Sequence, residues 1–469
     1  MNHDTQIVKA DVVSGTAVIE PQFKVDRHSK KLCTAPTWRK LHEALYQAEE
    51  LEETVVAIRM RLEGYPLDGI VAVNKAVDEI FGFTRALGGW NPPVRVNIET
   101  GFNRSATFAY GRLNPPAWEN GWIEMQVDME NPLSLLITGN IKRKFEPSIK
   151  QVLELSKYKI QHESIYRNAA VELDLSYIEK IKQGNRFNPD HCAPRFIDLT
   201  QPPALILPRD LEMLLENKVW GRIERPEDFI ANGIKIKNGY LLSGKYGTGK
   251  TLIATKTAHI AAANDYTYFY LKTPMHFVQA YRMAQIYARS VLFVEDIDGI
   301  FGGKRTHEMN MILETLDGLA SKNAEVITVF TTNFPEKINE AFMRSGRIDK
   351  HIKLRELDAE AAGRFIQHCC GHELHPDVDY DAVGFAFRDL VPADIRGGID
   401  EAKEQAIRQF GREISGKITT EILVTAGEVM RRERELTGGK ENEAERDLEI
   451  VRHAERIKAP NGGTAVVGK

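Results

Sequence analysis

Apolar residues recur along the chain with two different periods, and the change from one to the other divides it. From Pro36 to Leu62 the residues Trp38, Leu41, Leu45, Ala48, Leu51 and Val55 return at three- and four-residue steps with charges between them. That spacing predicts a helix. A second helix is predicted after Pro66, through Val71, Val73, Ala76, Val77, Ile80 and Phe81. Val94, Val96 and Ile98 then alternate with polar residues, as do Ile123, Met125, Val127 and Met129. This is the period of a strand, and Gly101, Gly111, Pro115, Pro116 and Gly121 punctuate the region between. Helical spacing returns from Phe145 to Gln161 on Ile149, Val152, Leu153 and Leu155. Gln201-Pro202-Pro203 reads as a linker, and a helix is expected from Pro208 to Trp220. Beyond it, three short continuous apolar runs, Tyr240–Leu242, Val291–Val294 and Val326–Phe330, read as buried strands.

The first of these runs leads into Gly244-Lys245-Tyr246-Gly247-Thr248-Gly249-Lys250-Thr251, and a helix is expected from Leu252. A strand, this glycine-rich loop and a helix together form a phosphate-binding loop. Glycines let successive N–H groups turn inward around phosphate, and the helix N-terminus adds partial positive charge. Gly244, Gly247, Thr248, Gly249 and the N–H of Leu252 would line the loop. Lys250 would reach the β- and γ-phosphates, and the Thr251 hydroxyl would ligate Mg²⁺. The expected ligands are a nucleoside triphosphate and Mg²⁺.

Composition narrows the setting. The 469 residues leave room for about three domains. A formal net charge of −4 gives no support for general binding to nucleic acid and leaves only a local basic patch, Lys142-Arg143-Lys144. That cluster reads as solvated surface, since no aromatic platform interleaves with it. No apolar run reaches the ~20 residues of a membrane span, and Met1–Ala10 has no apolar signal core. Four cysteines do not make a disulfide framework, so a cytoplasmic protein is expected. His368, Cys369, Cys370, His372 and His375 cluster in sequence, but their spacing fits packing better than a zinc site.

From Gly233 to about Glu435 the order of motifs resembles the AAA clade of the AAA+ ATPases, the clade that holds protein-remodelling motors. Val291-Leu292-Phe293-Val294-Glu295-Asp296-Ile297-Asp298 resembles its Walker B strand, with Glu295 and Asp296 in the reverse of the family's order. Lys245 and Tyr246 stand where the family usually has two prolines. The resemblance implies that Glu295 serves the Mg²⁺ shell and Asp296 polarises the attacking water. Leu316-Asp317-Gly318-Leu319 looks like the intersubunit signalling segment, and Asn333 matches sensor 1. Arg344 and Arg347 resemble the paired arginine fingers, whose planar guanidinium suits a transferring phosphoryl group. Pro392-Ala393-Asp394-Ile395-Arg396-Gly397-Gly398 resembles the clade's sensor-2 stretch, with Arg396 the nearest arginine but outside the matching position.

Two readings stand for Phe277-Val278-Gln279-Ala280-Tyr281-Arg282-Met283. By resemblance it is an aromatic pore loop, with Tyr281 gripping substrate and Arg282 and Met283 flanking it. By spacing it is a short amphipathic helix that packs Phe277, Ala280 and Tyr281 into the core. Gly302-Gly303-Lys304-Arg305 is a candidate second pore loop. The expected fold is an α/β P-loop AAA+ domain, a parallel sheet between helices, with a small helical lid and a preceding α+β domain. Boundaries are set at 1–200 (recognition or adaptor domain), 201–232 (linker and first motor helix), 233–356 (nucleotide-binding domain), 357–437 (lid) and 438–469 (a mobile charged, glycine-rich tail). The implied activity is ATP hydrolysis by a homo-hexamer that unfolds, extracts or disassembles a protein engaged through the N-terminal domain. A nucleic-acid motor or loader and a nucleotide-switched scaffold with negligible hydrolysis are the alternatives.

Overall fold

The computed structural model describes residues 12–13, 16–17, 35–82, 93–185, 187–189, 194–236, 238–287, 289–301, 306–317, 325–344, 347–434 and 436. Most of the expected N-terminal arm, the tail from 438 and the Gly302–Arg305 segment lie outside them. The chain divides into two compact units, Met1–Ile197 and Asp198–Lys469.

In the first unit, helix α1 spans Ala35–Glu53 and strand β1 spans Val55–Glu63. The helix expected to reach Leu62 therefore ends nine residues sooner, at Glu53. Past Thr54, Val56, Ile58, Met60 and Leu62 turn to one side with Arg59 and Arg61 on the other, and β-branched Val55-Val56 favours strand over helix. Helix α2 (Pro66–Phe81) follows, then the hairpin of β2 (Val94–Gly101) and β3 (Arg104–Tyr110). Strands β4 (Arg112–Leu113), β5 (Trp122–Val127) and β6 (Ser134–Lys142) complete an antiparallel sheet in the order β1-β6-β5-β4. Gly139 of β6 admits no side chain, since a Cβ there would stand 2.3 Å from the Trp122 carbonyl oxygen. Met129, expected in a strand, lies beyond β5 and is exposed.

Helix α3 (Glu146–His162) closes this sheet region, with Ile149, Val152 and Leu153 buried. Lys142 and Lys144 each bridge Glu53 and Glu119 at 2.5–3.0 Å. Those hydrogen bonds, from Lys142 first and Lys144 second, hold both carboxylates below their ordinary range. The basic cluster is thus largely neutralised by acids of its own unit.

In the second unit, helix α4 (Arg209–Leu215) passes through one π turn, Glu216–Trp220, into α5 (Gly221–Glu224). The turn brings Trp220 inward, where its Nε1–H donates to Thr257 Oγ1 at 3.0 Å. Five strands lie parallel in the order β8-β9-β10-β7-β11, namely β8 (Thr267–Leu271), β9 (Ser290–Val294), β10 (Val326–Thr332), β7 (Asn238–Ser243) and β11 (Lys350–Lys353). The first four of these are buried almost throughout, as expected of a parallel sheet covered on both faces, whereas the edge strand β11 buries only Ile352. Helix α6 (Lys250–Ala263) crosses from β7 to β8, α7 (Phe277–Ile286) from β8 to β9, and α8 (His307–Asp317) precedes β10.

The lid is helical: α9 (Ala359–Cys370), α10 (Tyr380–Ala386), α11 (Pro392–Phe410) and residues 420–434. Asp358 caps α9 by accepting from the Ala361 N–H, and Asp379 caps α10 by accepting from Asp381 and Ala382. Phe365, Ile366, Phe387, Leu390 and Leu423 form its core, which also takes Cys370.

One interstrand contact ties stability to pH. His351 of β11 meets Ser243 of β7 with Nε2 2.6 Å from Oγ, and burial followed by the Lys353 charge lowers the imidazole pKa below 6.5. The unfolded chain then binds the proton more readily, so this contribution is present above about pH 6.5 and lost as pH falls through the folded value. Urea unfolding followed from pH 7.5 to pH 5.5 is expected to show a falling midpoint in the wild type and a smaller fall in His351→Gln.

Candidate nucleotide site

The parallel register brings three strand ends to one edge. Ser243 of β7 lies opposite Thr332 of β10, and Val294 of β9 lies opposite Phe330. The residues that follow, Gly244, Asn333 and Glu295, leave the sheet together. Their turns are tied to one another. Gly244 N–H donates to the Thr332 carbonyl (3.2 Å), Ile297 N–H to the Thr331 carbonyl (3.0 Å) and Asp296 N–H to Thr331 Oγ1 (3.1 Å). Thr332 Oγ1 donates to Asp298 Oδ1 at 2.7 Å and accepts from the Phe334 N–H at 3.0 Å.

Above this edge stands the loop from Gly244 to Thr251. Gly247 and Gly249 adopt φ of +79° and +95°, the left-handed region open to glycine. A Cβ on Gly244 would crowd Thr248 Oγ1 (2.8 Å) and Leu354 Cβ (2.9 Å), so the loop closes tightly. Gly249 caps α6, whose first-turn N–H groups, Lys250 to Leu252, lack intrahelical acceptors. Lys250 Nζ donates to the carbonyls of Gly244 (2.6 Å) and Lys245 (3.0 Å), which holds the ammonium across the loop. Burial lowers its pKa, while Asp296, Glu295 and Asp298 oppose that shift.

Thr251 Oγ1 donates to Glu295 Oε1 at 3.1 Å, and Asn333 Nδ2 donates to Asp296 Oδ1 at 2.9 Å. The two acids therefore face different partners, one the loop hydroxyl and the other the sensor amide. A hydroxyl beside a carboxylate is an oxygen pair suited to a hard cation such as Mg²⁺. Asn333 Oδ1 is buried with no hydrogen-bond partner among the described residues, a polar atom left for a bound group. Asp296 has φ +48°. Among residues with a side chain, Asp and Asn enter this region most readily because their short polar group bonds locally. The order Glu295-Asp296 thus has a backbone reason. Burial first, then Asp298 and Glu295, raise the Asp296 pKa, with Lys250 opposing.

The other candidates fall into three groups. Arg347 is bound within its own subunit: Nε donates to Asp317 Oδ1 at 2.7 Å, Nη2 bonds Asp317 Oδ2 and Nη1 bonds the Ala341 carbonyl. Arg344 is exposed; its carbonyl accepts from the Arg347 and Ile348 N–H groups, but its guanidinium makes no hydrogen bond or ion pair among the described residues. The lid's sensor-2 stretch meets the loop at Gly247, where a Cβ would come within 2.8 Å of Ala393 Cβ. Lys245 bonds Glu356 (3.1 Å), which also accepts from Arg434 (3.0 Å). Arg396 points elsewhere, over the Phe365 ring at 5.8 Å.

The pore-loop reading of Tyr281 is corrected. Tyr281 lies on α7, is 1% exposed and packs against Phe277, with ring centroids 5.7 Å apart. Met283 is buried beside it and only Arg282 faces out. The connection from β8 to β9 holds one ten-residue helix, so the aromatic at this position enters the core.

Thr331, Thr332 and Asp298 were not singled out from the sequence, although they fasten the two acids in place. Their signal was two threonines closing an apolar buried strand just before Asn333. Tyr281→Ala is expected to lower stability by about 3–5 kcal/mol, read in urea melts, with Arg282→Ala nearly silent. Placing Glu at 296, as in the double variant Glu295→Asp/Asp296→Glu, forces a longer side chain into the left-handed turn, a strain on the order of 1 kcal/mol. Its turnover is expected below wild type, measured by phosphate release.

Residues 240–356 match the family described as "ATPase family associated with various cellular activities (AAA)". The chain is 32% identical over 211 residues to "ATP-dependent zinc metalloprotease FtsH 3" of Sphaerobacter thermophilus, covering 40% of this chain and 42% of that protein. It is 31% identical over 212 residues to "ATP-dependent zinc metalloprotease FTSH 1, chloroplastic" of Arabidopsis thaliana, covering 41% and 30%. With "ATP-dependent zinc metalloprotease FtsH" of Hahella chejuensis the identity is 30% over 207 residues, covering 39% and 33%. The chain thus spans well under half the length of these curated relatives. With the loop, the paired acids and the sensor amide gathered at one sheet edge, the match identifies residues 240–356 as an AAA domain.

Proposed function

We propose that the chain is an ATP-hydrolysing motor that works as a hexameric ring and unfolds, extracts or disassembles a protein target, with residues 1–197 making contact with that target. The observation that carries this reading is the convergence of Lys250, Thr251, Glu295, Asp296 and Asn333 at one edge of the sheet. Relatives named as ATP-dependent proteases support action on protein. The metalloprotease half of those names has no counterpart here among the described residues, where no group of three His, Cys, Asp or Glu could hold a metal. No helix among the described residues is long and apolar enough to cross a membrane.

In the proposed mechanism the loop N–H groups and Lys250 hold the β- and γ-phosphates. Thr251 and Glu295 would hold Mg²⁺, which neutralises phosphate charge when bound. Asn333 fixes Asp296, and Asp296 polarises a water in line with the γ-phosphorus. The water oxygen bonds phosphorus as the bond to the β–γ bridging oxygen breaks. The water's proton passes to Asp296 and then to phosphate, and ADP leaves. Arg344 acts on the nucleotide of the adjoining subunit, while Arg347 anchors that segment through Asp317. The basic cluster adds nothing to the nucleic-acid alternative, since Lys142 and Lys144 are engaged by Glu53 and Glu119.

Steady-state MgATP hydrolysis is expected to rise with protein concentration, and to fall by on the order of 100-fold or more in Asp296→Asn and Arg344→Ala, with nucleotide binding retained. ATP-dependent assembly without phosphate release at any concentration would instead identify a nucleotide-switched scaffold.

A further inference from the structure

Two residues at the tip of the phosphate-binding loop are not explained by holding phosphate. Lys245 bridges to Glu356, but Tyr246 is 69% exposed, a large aromatic turned to solvent. Its position is nonetheless defined. The ring meets Phe334 edge to face, with centroids 6.2 Å apart and planes at 76°. Phe334 directly follows Asn333, and the Lys337 ammonium lies 3.6 Å from its ring centroid. Lys250 Nζ stands 6.0 Å from the Tyr246 centroid. An aromatic wall therefore rims the site between the phosphate-binding ammonium, the sensor amide and solvent.

We propose that Tyr246 is the seat on which Arg344 of the partner subunit is positioned beside the γ-phosphate. This rests on the ring proposed above. Of the two candidate fingers, Arg347 is tied to Asp317 and the Ala341 carbonyl, whereas Arg344 is exposed with no such bond among the described residues. A guanidinium stacks on an aromatic face and keeps its edge N–H groups for an anion. On Tyr246 it would lie near Lys250, so two like charges would flank the ring. A triphosphate bound beside them attracts both cations and outweighs that repulsion, and its loss leaves the repulsion uncompensated. The seat is accordingly occupied when the γ-phosphate is present and released when phosphate leaves. Tyr246 is a positioning residue: it touches the finger and leaves the reacting atoms to others.

The test is a double-mutant cycle on the full chain, with kcat and KM for MgATP measured at assembling concentrations and nucleotide affinity measured with a fluorescent ATP analogue. Tyr246→Leu is expected to lower kcat roughly 3- to 30-fold, with analogue affinity unchanged, and Tyr246→Phe to restore the rate. In an Arg344→Lys background, which keeps the charge without the planar guanidinium, Tyr246→Leu is expected to have little further effect. Full kcat in Tyr246→Leu, lost analogue binding in that variant, or an equal fall in both backgrounds would each overturn the seat. An Arg344→Ala variant that turns over at the wild-type rate would overturn the ring reading together with it, whereas an additive cycle beside an impaired Arg344→Ala overturns the seat alone.

Discussion

The nucleotide site depends on the parallel register of β7, β9 and β10. Each ladder pair sets where its strand ends: Ser243 opposite Thr332 ends β7 level with β10, and Val294 opposite Phe330 ends β9 two residues earlier, so all three turns begin at one edge of the sheet. A slip of one residue in β10 would turn its inward side chains to the other face and carry Asn333 away from Asp296. The loop is then fastened to β10 through Gly244, and the acidic turn through Thr331 and Thr332. Buried hydroxyls at a strand end are costly unless paired, and here those of Thr331 and Thr332 are paired with the acidic turn. Sheet and site are one hydrogen-bonded unit.

Within that unit, charge and backbone are matched. Three carboxylates, Glu295, Asp296 and Asp298, stand around one ammonium; burial first, then repulsion from the other two, raises the Asp296 pKa while Lys250 moderates it. The left-handed turn at Asp296 separates the two neighbouring acids, directing one to Thr251 and one to Asn333. The lid closes over the loop through a contact that tolerates only glycine at 247. It is held from the flank by Arg364 on Glu212 and by Arg434 on Glu356, which also accepts from Lys245.

Much of this was legible in the chain. The loop, the acids and the sensor asparagine were visible because each sits at the end of a short apolar run, and a buried parallel strand announces its own end by the first polar residues. Helix α2 and helix α3 were visible through their spacing, and β7, β9 and β10 through their continuity. Strand β1 was misread as helix because Leu51 and Val55 happen to extend a helical repeat, while Val55-Val56 and the alternation through Leu62 favoured a strand that β6 could pair. Tyr281 was ambiguous for the same reason: an aromatic on a short amphipathic segment has the same spacing whether it grips a ligand or fills a core.

The sequence by itself determined the chemistry at hand: which groups bind phosphate, which acids stand together, and the strand–loop–helix order that presents them. These are local properties, set by glycine's backbone freedom, by strand burial and by side-chain type. Only the tertiary structure decided which partner each group takes. It gave Glu295 to Thr251 and Asp296 to Asn333, bound Arg347 to Asp317 while leaving Arg344 exposed, buried Tyr281 and exposed Tyr246. Those choices depend on residues 30 to 50 positions away brought within hydrogen-bonding distance, and no periodicity along the chain records such a distance.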